Sequence, residues 1–174
     1  MQSNVVAVAT PNLIADEKTT LHAFLQYLRQ ALIANISDLG EADACKVIES
    51  SGKSMVGLLR HLTMMEAGWF SRAYAGEDVP FPLADDEGGA PVTAATALAA
   101  YRAAAERSDA IIARTEDLDL PGVRTLRPNT PERPTLRWVM VHLIEDTARH
   151  TGHTDNIRDD ILGVSGDWRG SVAW

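Results

Sequence analysis

The sequence predicts an all-α protein, arranged as a four-helix bundle with crossover connections. Four stretches repeat apolar residues at the three- and four-residue spacing of an amphipathic helix. No stretch shows the apolar–polar alternation of a strand, and no repeat of solenoid length is visible. Four such helices bury their apolar faces most simply against one another. The connectors are long, which favours crossovers over tight hairpins.

The first predicted helix runs from about Asp16 to about Leu39, with Gly40 as its stop. Residues 1–15 are predicted to form an irregular arm, because Pro11 and Asn12 disfavour an earlier helix. The apolar stripe of this helix consists of Leu21, Phe24, Leu25, Leu28, Leu32 and Ile36.

The second and third helices follow connectors that hold helix-capping residues. The stretch EADACKVIESSGKS is predicted as a connector, and Ser51 or Ser54 can cap a helix from Met55 to about Ala75, closed by Gly76. The segment EDVPFPLADDEGGAPVT is rich in turn residues. Thr93 can then cap an alanine-rich helix that reaches about Thr115.

The fourth helix follows the proline-rich segment DLDLPGVRTLRPNTPERPT, which cannot itself form one helix. Pro134 and Thr135 favour a helix start, and Gly163 favours a stop after about Leu162. Residues 164–174 are predicted to form a tail that packs through its tryptophans. The whole chain, 1–174, is thus predicted to form a single domain.

Composition excludes several classes of function. The net charge is −8, and Lys and Arg total 16 against 24 Asp and Glu, so we expect no nucleic-acid partner and no binding to an anionic membrane surface. No apolar run reaches the length of about 20 residues that a membrane span needs. With the single cysteine, Cys45, and no basic leader before the first apolar run, the sequence suggests a cytoplasmic protein.

The fourth helix carries an unusual group of polar residues. At about 100° per residue, His142, Asp146, His150 and His153 fall within roughly 80° of one another. That quadrant overlaps the apolar face of the same helix, which contains Val139, Leu143 and Ile157. Since burying ionisable groups is costly unless they are paired or bind an ion, the quadrant is a candidate metal site.

The second helix can complete such a site. His61 lies at the edge of the face formed by Leu58, Leu62, Met65 and Trp69. Two imidazoles and a carboxylate would leave open positions around Zn²⁺, Fe²⁺, Ni²⁺ or Mn²⁺, as catalytic sites require. The alternative is a hydrogen-bonded polar network without metal, in which His142 donates to Asp146 and His61 is an ordinary core histidine.

Three other residues are given structural interpretations. Glu66 is predicted to form an ion pair with Arg149 across the bundle, or to support the site. His22 is predicted to be a surface residue of the first helix, and the thiol of Cys45 is predicted to be unreactive.

The segments LLRHLTMMEAGWF and LRWVMVHLIEDTARHTGHTDNIRDDILG, together with the opening TLHAFLQYLRQAL, resemble the DinB/YfiT-like superfamily. More closely, the chain resembles small actinobacterial-type DinB-like proteins of unassigned function, related to mycothiol-dependent maleylpyruvate isomerase. The resemblance implies a bundle in up-down-down-up order, often as a homodimer.

The resemblance also implies a metal held by a histidine of the second helix and two residues one turn apart on the last helix. These positions correspond to His61, Asp146 and His150. Many members have a glutamine where this chain has His153, so His153 can be a further ligand, a group that holds a ligand, or an acid–base residue. Because Asp is shorter than Glu, His142 or His153 would substitute if Asp146 did not reach the ion.

The function that these features imply is a metal-dependent S-transferase or isomerase that uses a low-molecular-weight thiol such as mycothiol and an electrophilic substrate. Zinc is the expected metal because it accepts N, O and S ligands. His153 or His142 would move a proton. Two alternatives stay open: a non-enzymatic stress-response or binding protein with a structural or vestigial site, and a metal-dependent hydrolase that uses no thiol.

Overall fold

A computed structural model describes residues 10–37, 39–48, 52–79, 92–127 and 129–163. Its helices are α1 (Glu17–Ser37), α2 (Glu41–Cys45), α3 (Met55–Glu66), α4 (Ala94–Arg114) and α5 (Leu136–Leu162), and a π-helical segment, Ala67–Tyr74, continues α3. These residues contain no strand, which confirms the predicted all-α class. The tail 164–174 and the first nine residues of the predicted arm lie outside the described residues.

The helix boundaries follow local capping. Ser54, Thr93 and Thr135 each accept a hydrogen bond from a first-turn N–H, at the starts of α3, α4 and α5. Gly163 ends α5 at φ 65°, a left-handed conformation that glycine adopts without strain. The prediction for Gly40 was wrong: α1 ends at Ser37, and Gly40 precedes the short helix α2, which lies within the predicted connector.

Two clusters of buried side chains show the directions of the helices. The first cluster joins the early part of α1 (Leu25) and of α5 (Leu136) to the late parts of α4 (Ile111) and of the α3–π-helix (Phe70). The second cluster joins the late part of α1 to the early parts of α3 and α4 and to Ile157 near the end of α5. Hence α1 and α5 run from the first cluster to the second, whereas α3 and α4 run in the opposite direction.

Contacts link the four long helices in a ring: α1 with α5, α5 with α3, α3 with α4, and α4 with α1. A closed bundle with crossover connections remains a prediction. Among the described residues, no helix is both long enough and apolar enough to cross a membrane.

The same substitution, glycine to alanine, is expected to lower the stability of the protein at one position and to raise it at another. A Cβ on Gly122 would lie 2.7 Å from Tyr74 Cα and 3.0 Å from the Ala73 carbonyl oxygen, which are backbone atoms that cannot easily move. We expect Gly122→Ala to lower the free energy of unfolding by about 1–3 kcal/mol.

Gly152→Ala is the matched control, because Gly152 lies within α5 and nothing approaches its added Cβ within 4 Å. This change is expected to raise stability by about 0.5–1 kcal/mol. Urea unfolding followed by circular dichroism measures both, and equal effects of the two variants would contradict this packing.

Candidate metal centre

Helix α5 places Asp146 and His150 one turn apart on the same face. This face also carries Leu143 and Ile157, which are buried in the first and second clusters respectively. The polar pair therefore lies between the two apolar clusters, near the middle of the molecule. Asp146 itself is buried.

His61 reaches this pair from α3. Its Nε2 lies 3.4 Å from Asp146 Oδ2, and His150 Nε2 lies 3.4 Å from Asp146 Oδ1. The rings of His61 and His150 have centroids 4.6 Å apart at an interplanar angle of 66°. One potential ligand atom from each residue lies within 4.8 Å of the other two. Asp146 thus reaches both imidazoles despite its short side chain.

The polar atoms of this triad fit a divalent metal ion. Asp146 Oδ2 is buried and accepts no hydrogen bond from any described residue, although such an oxygen normally has a partner. Two ligand atoms bound about 2.1 Å from one tetrahedral ion lie about 3.4 Å apart. His61 Nε2 lies at this distance from Asp146 Oδ2, and His150 Nε2 lies at this distance from the other carboxylate oxygen, Oδ1. Two imidazoles and one carboxylate are also a donor set that zinc and other first-row metals accept.

The triad is open on one side. The side chain of His61 is 37% exposed, whereas those of His150 and Asp146 are 14% and 11% exposed. Burial lowers the pKa of His150 below its usual range, although the nearby carboxylate of Asp146 acts in the opposite direction. A neutral His150 keeps a lone pair on one ring nitrogen, which metal binding requires.

His153 contacts His150 rather than the centre of the triad. Its Nδ1 lies 3.3 Å from His150 Nδ1, so one ring donates and the other accepts. If His150 Nδ1–H is the donor, the lone pair of His150 is on Nε2, the atom that faces Asp146. The structure therefore places His153 where it can fix the orientation and tautomer of His150.

His142 lies one turn before Asp146, among tryptophans. Its ring stacks on Trp138 with centroids 4.9 Å apart and meets the edge of Trp69 at 5.1 Å. Burial lowers the pKa of His142, which favours its neutral form. Neither ring nitrogen of His142 hydrogen-bonds to another described residue, so the proposed network in which it donates to Asp146 does not form.

The π-helical segment brings Trp69 to this position. Trp69 packs on Trp138 of α5, with ring centroids 4.9 Å apart. The apolar periodicity predicted one regular helix over 55–75, because such periodicity does not distinguish a π-helical continuation from an α-helix. Such segments occur often at functional sites.

The prediction that Glu66 pairs with Arg149 was wrong. Five residues after His61, Glu66 points about 140° away from that residue around the helix, toward α1 and α4 instead of α5. Its carboxylate receives two hydrogen bonds of 2.7 Å from Arg29 Nε and Nη2. Arg149 pairs with Glu145 on the surface of α5.

This buried ion pair belongs to a network that sequence reasoning missed. Arg29 Nη1 donates to Asp109 at 2.7 Å, and Asp109 also receives a 2.9 Å hydrogen bond from His22. His22 is therefore part of a polar network and not only a surface residue. The sequence did indicate that Arg29 is buried, because Arg29 lies in the apolar stripe of Leu25, Leu32 and Ile36 at helical spacing.

Comparison with protein families gave a match over most of the chain. A family model described as mycothiol-S-transferase matches residues 20–163. This segment runs from the first turn of α1 to Gly163 and includes the three residues of the triad. Neither the search of curated proteins nor the search of solved structures found a match.

Proposed function

Since the chain belongs to the mycothiol S-transferase family, we propose that it joins the sulfur of a low-molecular-weight thiol to an electrophilic carbon. Mycothiol is the proposed cosubstrate, and zinc is the proposed metal. The observation that carries the proposal is Asp146 Oδ2, which is buried, accepts no hydrogen bond from a described residue and faces His61 Nε2 at 3.4 Å, at a site where His61 is partly exposed to solvent.

His61, Asp146 and His150 would hold the ion in this reaction. A divalent ion bound there supplies a positive charge that lowers the pKa of a nearby thiol toward neutrality. In the transfer, sulfur forms a bond to the electrophilic carbon, the leaving group departs with its electron pair, and the thiol proton goes to a base.

The two remaining histidines of α5 have different proposed roles. His153 positions His150, because its Nδ1 is engaged with that ring. His142 is the better candidate for the proton acceptor, since neither of its nitrogens bonds to another described residue and its lowered pKa keeps it unprotonated. Trp69 and Trp138 shield it from water on two sides.

The role of His153 can be tested by two substitutions. We expect His153→Ala to weaken metal binding by about 10- to 100-fold, the usual effect of removing a partner that orients a ligating histidine. His153→Gln should restore most of the affinity, because its amide oxygen can accept the hydrogen bond from His150. Competition with a chelator of known affinity measures both, and equal losses in the two variants would exclude this positioning role.

The proposed activity is tested with purified protein, mycothiol and monochlorobimane. We expect fluorescent thioether to form with the metal-loaded wild type and to be lost both after chelation and in His142→Gln. Bacillithiol and the substrate without any thiol are run in parallel. A metal-loaded protein that turns over no electrophile with any thiol would reject S-transfer, and hydrolysis without thiol would instead support the hydrolase alternative.

We also propose that the protein forms a homodimer and has no nucleic-acid partner. A homodimer would be detected by light scattering during size-exclusion chromatography. We also propose a cytoplasmic location, where thiols of this class stay reduced. The net charge of −8 argues against a nucleic-acid partner.

A further inference from the structure

The four long helices pack as two pairs. Among the described residues, α1 packs most extensively on α5, and α3 with its π-helical continuation packs most extensively on α4. Contacts between the α1–α5 pair and the α3–α4 pair are sparser, above all between α1 and α4. Polar side chains lie at both seams where the pairs meet. The triad joins α3 to α5 at one seam, and Arg29 joins α1 to α3 and α4 at the other.

Arg29 connects the α1–α5 pair to both helices of the α3–α4 pair. Its Nε and Nη2 atoms donate to the carboxylate of Glu66 on α3, each at 2.7 Å. Its Nη1 atom donates to Asp109 on α4, also at 2.7 Å. Because a guanidinium is planar and its donors point in fixed directions, these three hydrogen bonds define both the separation and the relative rotation of the helices that they join.

The face of α1 that carries Arg29 forms other hydrogen bonds to α4. Gln26 Nε2 donates to Asp109 at 2.6 Å, and Lys18 Nζ donates to the carbonyl oxygen of Thr115 at 2.6 Å. Hydrogen bonds require a defined distance and direction, whereas apolar contacts tolerate small shifts and repacking. This seam therefore fixes the relative position of the two pairs more narrowly than apolar packing alone would.

The register of α1 against α5 places Arg29 near the height of the triad. Two pairs of side chains connect these helices, each 120 positions apart in the sequence: Glu17 with Arg137, and Asn35 with Asp155. The same offset places Arg29 beside the turn of α5 that contains His150. On α3, Glu66 follows His61 by five residues, which is about 7.5 Å along the helix axis.

The ligand atoms of the triad are divided between the two pairs. His61 lies on α3, whereas Asp146 and His150 lie on α5. Bonds from a metal ion to its ligands keep their lengths to within about 0.2 Å. A shift of about 1 Å between the pairs would therefore take His61 out of bonding distance of an ion held by α5. All three residues can bind one ion only when the two pairs are held at the correct separation.

We propose that Arg29 is a positioning residue for the metal centre: by binding Glu66 and Asp109, it holds the α1–α5 pair against the α3–α4 pair at the separation that the triad requires. The inference rests on the proposed function only in taking the triad as a metal site. Binding of the ion and the contacts of Arg29 are then coupled, because each favours the same arrangement of the two pairs.

The proposal is tested first by the zinc affinity of a double variant. Arg29→Met with Glu66→Met replaces the buried ion pair by apolar side chains of similar length, a change that proteins often tolerate without loss of stability. We expect this variant to stay folded but to bind zinc at least about tenfold more weakly, within the usual range of coupling between two sites. Competition with a chelator measures the affinity, and urea unfolding measures the stability.

Two control variants separate positioning from a general loss of stability. Ile36→Val removes one methylene group from the second apolar cluster, on the same buried face of α1. His22→Ala leaves all three hydrogen bonds of Arg29 in place. Both variants should bind zinc with wild-type affinity, even where they lower the stability of the protein.

Distances between spin labels test the arrangement of the helices directly. The background is Cys45→Ser, since Cys45 is the single cysteine of the chain. Labels on Gln30→Cys and Glu106→Cys, at exposed positions of α1 and α4, span the seam, whereas labels on Gln30→Cys and Asn156→Cys stay within the α1–α5 pair. In the metal-free double variant, we expect the first distance to change or broaden by about 1–2 Å, and the second to stay the same.

The outcomes distinguish a failure of this inference from a failure of the metal site. Wild-type protein that binds no zinc would reject the metal centre itself. Zinc binding that is equally tight in the wild type and the double variant would overturn the role of Arg29 alone. An equal loss of affinity in Ile36→Val, or unchanged distances across the seam in the double variant, would also overturn it.

Discussion

Replacing Glu66 with glutamine is expected to lower the free energy of unfolding by about 3 kcal/mol or more. The substitution keeps the size of the side chain but removes a carboxylate that has no solvent exposure and that receives two hydrogen bonds from Arg29. The guanidinium of Arg29 is itself only 2% exposed, so its charge would remain in the core with Asp109 as its one acidic partner.

The pKa shifts of Arg29 and Asp109 show that this network keeps both groups charged. Burial disfavours the charge on Arg29, but the pair with Glu66 raises its pKa, so the guanidinium stays protonated. Burial likewise disfavours an ionised Asp109, but hydrogen bonds from His22 and the charge of Arg29 lower the pKa of that carboxyl. Glu66 and Asp109 therefore stabilise the positive charge of Arg29, which is almost completely shielded from water.

The control is the same change at the surface. Glu145→Gln removes the ion pair between Glu145 and Arg149, whose side chains are 51% and 60% exposed respectively. This change is expected to lower the free energy of unfolding by less than about 1 kcal/mol. Urea unfolding of both variants measures the difference. A loss below about 1 kcal/mol for Glu66→Gln, or equal losses at the two sites, would contradict a stabilising buried ion pair.

Substituting the triad is expected to abolish metal binding. We expect His61→Ala and Asp146→Asn each to weaken metal affinity by more than about 100-fold, since even the loss of a residue that only orients a ligand weakens binding by 10- to 100-fold. Thioether formation should fall with metal content. Asp146→Asn keeps the shape of the side chain, so its effect isolates the charge of the carboxylate.

His22→Ala is the matched histidine control. It removes an imidazole from the Arg29–Asp109 network on α1, away from the triad, and should leave metal content unchanged. Elemental analysis of protein purified without chelator measures the metal in each variant. Full metal content in His61→Ala would show that the ion is held elsewhere.

Local patterns on single helices were predicted well from the sequence. The capped start at Thr135, the stop at Gly163 and the shared face of Asp146 and His150 all follow from helical spacing and local backbone chemistry. The approach of His61 to this face depends on packing between residues far apart in the chain. Helical spacing placed His61 at the edge of the apolar face of its helix, where it could complete the site, and the family resemblance then assigned it to the same site as Asp146 and His150.

The features that were missed depend on tertiary structure. Glu66 was assigned the wrong partner because helical spacing gives its direction around α3 but does not show which helix lies in that direction. A cavity beside the start of α5 is lined partly by the proline-rich segment that precedes this helix, where no periodic pattern predicts the path of the backbone. The arginines in that segment were visible in the sequence, but their position beside Trp138 was not.

An anomalous difference map from crystals of protein purified without chelator would show whether His61, Asp146 and His150 bind one divalent metal ion. We expect one peak per chain, about 2.0–2.2 Å from an imidazole nitrogen of each histidine and from a carboxylate oxygen of Asp146. The absence of a peak, or a peak bound by other residues, would contradict this expectation.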